Sequence, residues 1–343
     1  MTKVMKKRPT QKQIADQLGL SAATVSLALR DNPVVAKATR DLVKQAMRDT
    51  GYVPNIAAAS LRTGRSNIIG ISFHTVAHSS YGDLLVAIER AFDASGTVIL
   101  INNHEDDVER LDRFISTLAT YGADALIVAP PPGTPLSVME RVGMHGMPIL
   151  YIGSHVAGDG GADHIVMDNR AAGEMAVRHL FDAGFERLHL VGGRVGSPVF
   201  EGRVKGFRAA IETAGMTWSD DLWSPCPVKP QDAVDTLHKV LTSDPAPTGI
   251  VCLGDTVSRV AGKVVQGLGL EPGKDVGLVG IGSERGMDAT IPRLTMVCGD
   301  TKATGRLCAE TILARLGNPE MAPCHTVVGP TLIPGETSGN SGA

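Results

Sequence analysis

Residues 10–29 read TQKQIADQLGLSAATVSLAL, and this stretch decides the fold of the first part of the chain. Thr10, followed three residues later by Gln13, forms a capping box, in which each side chain meets the other residue's backbone N–H at a helix start. Gly19 supplies the left-handed residue that ends such a helix, and Ser21 can cap a second one. The stretch therefore predicts two short helices joined by a tight turn, which is a helix-turn-helix.

Apolar residues recur at helical spacing through this region. The inward-facing residues are Ile14, Ala15 and Leu18 in the first helix and Val25 and Leu29 in the second. The second helix leaves Ala22, Ala23, Ser26 and Leu27 more exposed. A third helix follows, with an apolar stripe of Leu42, Val43, Ala46 and Met47 and with Gly51 as its stop. In a helix-turn-helix the second helix enters the major groove of DNA, so this region is a candidate DNA-binding module.

The charge of the chain is divided unevenly. Residues 1–65 hold 12 Lys and Arg against 4 Asp and Glu, a net charge of +8, whereas the remaining residues hold 21 against 32, a net charge of −11. A basic module on an acidic body is typical of a protein that binds a polyanion. A basic disordered tail is the alternative, but it would lack the helical periodicity.

Beyond residue 67, apolar strand-like runs alternate with helix-like stretches. The runs are IIGI (68–71), VILI (98–101), ALIV (125–128), ILYI (149–152), LHLV (188–191), GIVCL (249–253) and VGLV (276–279). Such a pattern predicts parallel sheets covered by helices on both faces, and there are too many units for one sheet. The predicted fold class is α/β, with an N-terminal all-α helix-turn-helix head and two doubly wound parallel-sheet lobes. Ligands bind beyond the carboxyl ends of such strands, so we expect a cleft between the lobes.

The sequence resembles the LacI/GalR family of bacterial repressors over essentially its whole length. The matching segments are QIA (13–15), LGLS (18–21), ATVS (23–26), GYVPN (51–55) and AAASLRTGRS (57–66). The resemblance implies a helix-turn-helix domain over 1–54, a hinge helix and linker over 55–66, and an effector-binding and dimerisation domain over 67–334. That domain would resemble periplasmic binding proteins, with the chain crossing between its lobes near residues 168, 298 and 328. The tail, 335–343, carries no heptads and is predicted to be flexible, which favours a dimer over a coiled-coil tetramer.

The resemblance also implies which residues contact DNA. These are Thr10, Ser21, Ala22, Ala23, Thr24, Ser26, Leu27, Asn55, Ala58 and Leu61. The methyl groups of Ala22 and Ala23 can pack on thymine methyl groups, and Leu61 is suited to unstacking a base step in the minor groove. A packed linker residue is the alternative role for Leu61. Leu27 stands where family members frequently place an arginine, so the operator sequence stays open.

Effector contacts are implied in the same way. The predicted effector-binding residues are His74, Tyr81, Ser197, Arg203, Asp255 and Ser283. A guanidinium such as that of Arg203 can bind hydroxyl pairs, carboxylates or phosphates. A surface salt bridge is the alternative role for Arg203, and that of a solvated bystander is the alternative for His74. Three further aromatic residues are candidates for stacking on a sugar, namely Tyr151, Trp218 and Trp223.

Two glycines depart from the family pattern. Gly254 stands where an asparagine would contact the ligand, and Gly282 stands where one of a pair of acidic residues would bind sugar hydroxyls. Asp255 remains to cap the helix that follows. A ligand with fewer hydroxyls, or an anion bound by Arg203, is therefore an alternative to a usual sugar.

Enzyme signatures are weak or absent in the sequence. The run GIGSERG (280–286) has the spacing G-x-G-x-x-x-G, which is not the dinucleotide-binding spacing. The sequence has no G-x-x-x-x-G-K-[ST], G-x-S-x-G or H-E-x-x-H motif. Its five cysteines include no C-x-x-C pair, which argues against zinc and against a disulfide framework. We therefore expect no catalysis, no cofactor and no metal.

The predicted function is that of a homodimeric, DNA-binding transcriptional regulator, a repressor by family resemblance. Its affinity for double-stranded operator DNA would be controlled by a sugar, a sugar-derived metabolite or an anionic metabolite bound between the lobes. A solute-binding protein or a small-molecule enzyme on the same two-lobed fold is the alternative. We expect a cytoplasmic protein, because neither a secretion signal nor an apolar run of about 18 residues appears. Inducer and corepressor control both stay open.

Overall fold

The computed structural model of the chain describes residues 9–29, 31–52, 65–76, 79–226, 229–284 and 291–339. Two units with dense internal contacts make up the chain, Met1–Ser66 and Asn67–Ala343, and we call them the head and the body. Most of the predicted hinge, including Asn55, Ala58 and Leu61, lies outside the described residues. Within the described ranges, none of the helices combines the length and apolar character needed to cross a membrane.

The head contains α1 (Gln11–Leu18), α2 (Ala22–Leu29) and α3 (Lys37–Thr50). The capping box is confirmed, because Gln13 N donates to Thr10 Oγ1 at 3.3 Å and Thr10 N donates to Gln13 Oε1 at 2.8 Å. Gly19 follows α1 with φ 64°, and Gly51 follows α3 with φ 66°. Residues with a Cβ rarely adopt this left-handed conformation, so both helices end at the predicted glycines.

A small apolar core holds the three helices of the head together. Its buried residues are Ile14, Ala15, Val25, Ala28, Val35, Val43 and Ala46. Two expectations about this core are wrong. Leu27 is partly buried against it, although the sequence placed Leu27 on the exposed face. Leu42 is 50% exposed, because it lies about 100° around the helix from the buried Val43.

The body alternates strands and helices along the chain. Its strands are β1 (Ile68–Phe73), β2 (Val98–Asn103), β3 (Ala125–Val128), β4 (Ile149–Ile152), β5 (Asp163–Met167), β6 (Leu188–Gly192), β7 (Trp223–Ser224), β8 (Gly249–Leu253), β9 (Gly277–Gly282), β10 (Thr295–Gly299), β11 (His325–Val328) and β12 (Pro330–Ile333). Its helices are α4 (Ser79–Phe92), α5 (Val108–Tyr121), α6 (Leu136–Met144), α7 (Asn169–Asp182), α8 (Pro198–Thr213), α9 (Pro230–Leu241), α10 (Asp255–Gly267) and α11 (Thr301–Gly317). All seven predicted apolar runs overlap strands.

The described strands form two sheets, one in each lobe. The first sheet has the order β2-β1-β3-β4-β5-β11, and its neighbouring strands are parallel. The second has the order β7-β6-β8-β9-β10-β12, and only the edge strand β12 runs antiparallel to its neighbour. The predicted fold class, two doubly wound parallel-sheet lobes behind a helical head, is confirmed.

Helices cover both faces of each sheet, as the continuous apolar strands predict. In β3, Ala125 and Ile127 join one buried cluster, while Leu126 and Val128 join the cluster on the opposite face. All four side chains are fully buried. Successive residues of a strand point to opposite faces, so a strand without polar residues requires a core on each side.

The chain passes between the two sheets at three places. It leaves the first sheet after β5 at Asp168, returns from the second after β10 at Asp300, and crosses again at Gly329 between β11 and β12. Asp168 and Asp300 cap the helices that follow, accepting hydrogen bonds from Ala171 N at 2.9 Å and Ala303 N at 2.8 Å. The two crossings into helices are therefore held by side-chain caps.

The last described residues are bound to the second sheet, although the sequence predicts a flexible tail over 335–343. Thr337 and Ser338 are each only 1% exposed. Thr337 Oγ1 donates to Leu278 O at 2.8 Å and accepts from Thr295 N at 3.0 Å, and Ser338 Oγ is bonded to His179 Nε2 at 2.7 Å. Residues up to Gly339 thus pack beside β9 and β10, because their polar side chains satisfy backbone groups there.

A buried histidine in β6 makes the stability of the body depend on pH. Burial lowers the pKa of His189, whose ring is bonded to Ser224 Oγ at 3.0 Å, to about 4. The unfolded chain, with a histidine pKa of about 6.5, binds more protons below that pH, so acid destabilises the fold. We expect His189 to account for a loss of about 2 kcal/mol between pH 7 and pH 5. In urea titrations at both pH values, His189→Gln should reduce this loss and the exposed His145→Gln should not.

Candidate functional site

A cavity of about 670 Å³ lies between the two sheets of the body. Several lining residues follow directly on strand ends: His74 after β1, His104 after β2, Gly153 after β4, Gly254 after β8 and Ser283 after β9. The carboxyl ends of both parallel sheets therefore face the same space, which is where doubly wound sheets bind ligands. The volume is in the roughly 300–1,000 Å³ range of small-molecule sites.

The cavity brings together every residue that the sequence singled out for effector binding. His74, Tyr81, Ser197, Arg203, Asp255 and Ser283 all line it. His74 and Tyr81 come from the first lobe, and the others come from the second. Their contact with a ligand stays a prediction.

Arg203 projects from α8 and is only 9% exposed. Its Nε donates to Asn169 Oδ1 at 3.0 Å, and its Nη1 donates to Ile281 O at 3.2 Å. The guanidinium carbon lies 5.4 Å from the centroid of the Phe200 ring. Burial lowers the pKa of Arg203 to about 10, so the side chain is still charged at neutral pH. Arg203 is therefore a buried cavity residue, and among the described residues it forms no surface salt bridge.

Asp255 lies at the start of a helix, and its side chain is also bonded to the end of a neighbouring strand. It is the first residue of α10, and Gly254 precedes it at the N-cap position. Its carboxylate accepts from Ser283 N at 2.8 Å and from Ser283 Oγ at 3.0 Å. It also accepts from Ser80 N at 3.3 Å, so it links the second lobe to the first.

The two glycines that depart from the family pattern have structural reasons to be glycines. A Cβ at Gly282 would lie 2.0 Å from Asp255 Oδ1. Gly254 has φ +99°, a conformation that side chains with a Cβ rarely adopt. A side chain at position 282 would therefore displace Asp255, and one at position 254 would strain the backbone.

An ion pair that the sequence did not predict also joins the lobes across the cavity. Arg194 Nη1 donates to Asp106 Oδ2 at 2.7 Å, and Asp106 Oδ1 lies 3.1 Å from His74 Nδ1. Partial burial raises the pKa of Asp106, but the Arg194 hydrogen bond and the positive charges outweigh it and bring that pKa below its ordinary value. The one sequence signal that could have pointed to Asp106 is its position shortly after the end of β2.

His104 is buried and bonded through both ring nitrogens. Its Nε2 donates to Ala129 O at 2.8 Å, and its Nδ1 accepts from Asp106 N at 3.1 Å. Burial lowers the pKa of His104, which favours the neutral ring that these bonds require. In the described residues, His74, His104 and Asp106 each have a nitrogen or oxygen atom that could bind a metal ion, and these three atoms lie within 4.8 Å of one another. Within this cluster, His104 uses both ring nitrogens in hydrogen bonds and Asp106 is paired with Arg194.

Aromatic side chains contribute to the cavity, but not the ones considered for sugar stacking. Tyr81 lines the cavity and stacks on Phe73 with a centroid distance of 4.8 Å. Tyr151 is fully buried in the core, where its hydroxyl donates to Asp159 Oδ2 at 2.6 Å. The two tryptophans, Trp218 and Trp223, pack against the core of the second lobe. Sequence position alone could not separate these core roles from cavity roles.

In the head, the predicted DNA contacts lie on and around α2. Ala22 and Ala23 are exposed, whereas Thr24 and Ser26 are half-buried. Three of these residues with hydroxyl groups, Thr10, Ser21 and Thr24, take part in helix starts. Thr10 belongs to the capping box of α1. At the start of α2, Ser21 Oγ accepts from Thr24 N at 3.0 Å and lies 2.8 Å from Thr24 Oγ1. Contacts of all these residues with DNA stay predictions.

Comparison with known protein families gives two matches. Residues 10–55 match the model of bacterial regulatory proteins of the lacI family, and residues 177–338 match the model of a periplasmic binding protein-like domain. The first match covers the head helices, and the second covers most of the second lobe.

Similar proteins are regulators. The chain is 26% identical to the maltose regulon regulatory protein MalI of Escherichia coli over 255 residues, 74% of each chain. It is 23% identical to the transcriptional repressor PurR of Yersinia enterocolitica, over 94% of this chain and 95% of that one. A solved structure of the Lac repressor dimer bound to operator and the anti-inducer ONPF aligns with a TM-score of 0.81 at 20% identity, covering 97% of this chain and 99% of that one.

Proposed function

The chain belongs to the LacI family of bacterial regulatory proteins, and on that premise we propose that it represses transcription under the control of a small molecule. The head would bind operator DNA through α2. The cavity of the body would bind a sugar, a sugar-derived metabolite or an anionic metabolite. One observation carries the proposal: a helix-turn-helix of this family and a two-lobed body with an interlobe cavity occur in the same chain.

The direct test is DNA binding by the full chain. We expect it to retard a fragment from beside its own gene with at least a thousandfold preference over random duplex, since specific binding typically exceeds non-specific binding by about 10³ or more. Deleting residues 1–65 should abolish DNA binding and keep small-molecule binding. Equal affinity for every duplex, with and without metabolites, would contradict the proposal and favour a solute-binding protein.

Leu61→Ala should separate specific from non-specific DNA binding. Leu61 lies outside the described residues, and the family resemblance makes it the apolar wedge of the hinge. We expect the variant to keep weak, salt-sensitive binding but to lose at least tenfold in operator preference. An inserted side chain unstacks a base step and bends the duplex, and the free energy that this costs is offset only by the extra contacts of the bent operator. Leu42→Ala, at an exposed apolar position of α3, is the matched control. Unchanged preference in Leu61→Ala would remove this residue from the mechanism.

We propose that the protein works as a homodimer in the cytoplasm. Two-fold symmetry would present two heads to the two halves of a near-palindromic operator. The edge strand β2 supports a partner surface, because Val98 is 43% exposed and Ile101 is 49% exposed there. Exposed apolar edge strands are usually covered in native proteins. Sedimentation at micromolar concentration should give about twice the 36.0 kDa chain mass, whereas a monomer would contradict this proposal.

Control by the effector follows from linkage. An effector that prefers one arrangement of the two lobes shifts the population toward it, and DNA and effector must then change each other's affinity by the same factor. The Asp106–Arg194 pair and the Asp255–Ser80 hydrogen bond join the lobes, so both would respond to such a rearrangement. An inducer and a corepressor would use the same contacts.

A further inference from the structure

The walls of the cavity are mainly apolar. Both lobes contribute large apolar side chains, among them Tyr81, Leu84, Ile152, Phe200 and Val257. At the ends of β8 and β9, Gly254 and Gly282 add no side chain, and the Asp255 carboxylate fixes the second of them as glycine. A polyhydroxylated ligand would therefore leave many hydroxyls against groups that cannot form hydrogen bonds, at a cost of about 1–3 kcal/mol for each buried one.

The ionisable side chains Asp255, Asp106 and His104 of the cavity already have partners within the protein. The Asp255 carboxylate accepts hydrogen bonds from Ser283 and Ser80, and Asp106 is paired with Arg194. His104 uses both ring nitrogens. A sugar that bound these groups would compete with hydrogen bonds that now hold the cavity together.

Arg203 differs from the other charged groups of the cavity. The two hydrogen bonds described for its guanidinium go to neutral oxygens, those of Asn169 and Ile281. Asp255 is close enough to stabilise the charged form, but its oxygens accept from serine groups. A buried cation gains most from a ligand that brings a full negative charge, because burial of a charge is costly unless the charge is paired with an opposite one.

We propose that the effector is a small carboxylic acid with a largely apolar ring, which binds its carboxylate to Arg203 and packs its ring against the apolar walls of the cavity. The inference rests on the proposed function, because it takes this cavity as the effector site. The ring would lie among side chains such as Tyr81, Leu84 and Phe200, where burial of apolar surface stabilises binding. Neutral sugars would bind poorly.

Titration calorimetry with the full chain tests the charge requirement. The probes are benzoate, cyclohexanecarboxylate, the neutral isostere benzamide, gluconate and glucose. We expect the two ring carboxylates to bind at least tenfold more tightly than benzamide and than either sugar compound. Gluconate has the carboxylate but no apolar ring. Its affinity therefore separates the contribution of the negative charge from that of apolar packing against the cavity walls.

Variants test the anchor. Arg203→Met should abolish the preference for benzoate over benzamide, whereas Arg208→Met, on the exposed side of the same helix, should leave it unchanged. The comparison of benzoate with benzamide in the unaltered chain needs no variant, so a misfolded Arg203→Met would not prevent the test.

Three results would overturn the inference: glucose or gluconate binding as tightly as the ring carboxylates, equal affinity for benzoate and benzamide, or no measurable binding of either ring carboxylate. Each would leave the proposed function standing if the chain still selects its operator in the presence or absence of metabolites. Loss of operator selection under both conditions would instead contradict the proposed function itself.

Discussion

Asp163→Ala is expected to lower the free energy of unfolding of the body by about 3–5 kcal/mol, the usual cost of leaving one partner of a buried ion pair alone. Asp163 is 2% exposed and accepts from Arg315 Nη2 at 2.7 Å and Nε at 3.0 Å. It also accepts from Cys324 N at 2.8 Å, which anchors the start of β11 beside β5. Urea unfolding followed by circular dichroism measures the loss.

The Arg315 side chain makes this loss severe. It donates as well to the carbonyl oxygens of Pro319, Met321 and Ala322, so it cannot turn to solvent when Asp163 is removed without breaking the turn before β11. Glu212→Gln is the matched control, since it removes one partner of the exposed Arg208–Glu212 pair. That change should stay below about 1 kcal/mol. Equal losses in both variants would mean that burial of the Asp163 pair does not matter.

Gly206→Ala should destabilise the body by about 2–3 kcal/mol, because α7 and α8 meet at their glycines and extra volume in a packed interface forces the helices apart. A Cβ at Gly206 would lie 2.0 Å from Arg170 O, and one at Gly173 would lie 2.1 Å from Arg203 O. Arg203 would move with α8, so we also expect the ligand response to fall. Thermal unfolding and calorimetry measure the two effects.

The same substitution at Gly262 should act in the opposite direction. Gly262 lies within α10, and a Cβ there would meet nothing within 4 Å. Alanine restricts the unfolded chain and favours the helix, so Gly262→Ala should stabilise the body by roughly 0.5–1 kcal/mol. Destabilisation by both substitutions to the same extent would show that helix contact at Gly206 is not the cause.

Arg203 connects the stability effect at Gly206 to the cavity. Gly173 and Gly206 let α8 approach α7 closely. This approach positions the Arg203 side chain so that it can donate hydrogen bonds to Asn169 and Ile281. We therefore expect Gly173 and Gly206 to affect ligand binding, although neither residue lines the cavity.

The sequence by itself determined the local structure of the head and the class of the fold. The cap at Thr10 and the left-handed glycines Gly19 and Gly51 involve only neighbours within a few residues. The local sequence is therefore enough to predict where these helices begin and end. The continuous apolar runs likewise predict buried parallel strands, because both faces of such a strand must meet a core. Polar or short strands such as β5, DHIVM, and β7 lack that signal.

Only the tertiary structure decided which side chains meet in the cavity. Asp106 and Arg194 are 88 residues apart, and Asp255 and Ser283 are 28 apart, so no local pattern relates them. The sequence also could not predict which aromatic residues line the cavity. Tyr81 and Phe200 do so, whereas Trp218 and Trp223 pack against the core. Hydrogen bonds and close packing depend on distances of a few ångströms, and such distances between remote residues are set by the packing of the whole lobe.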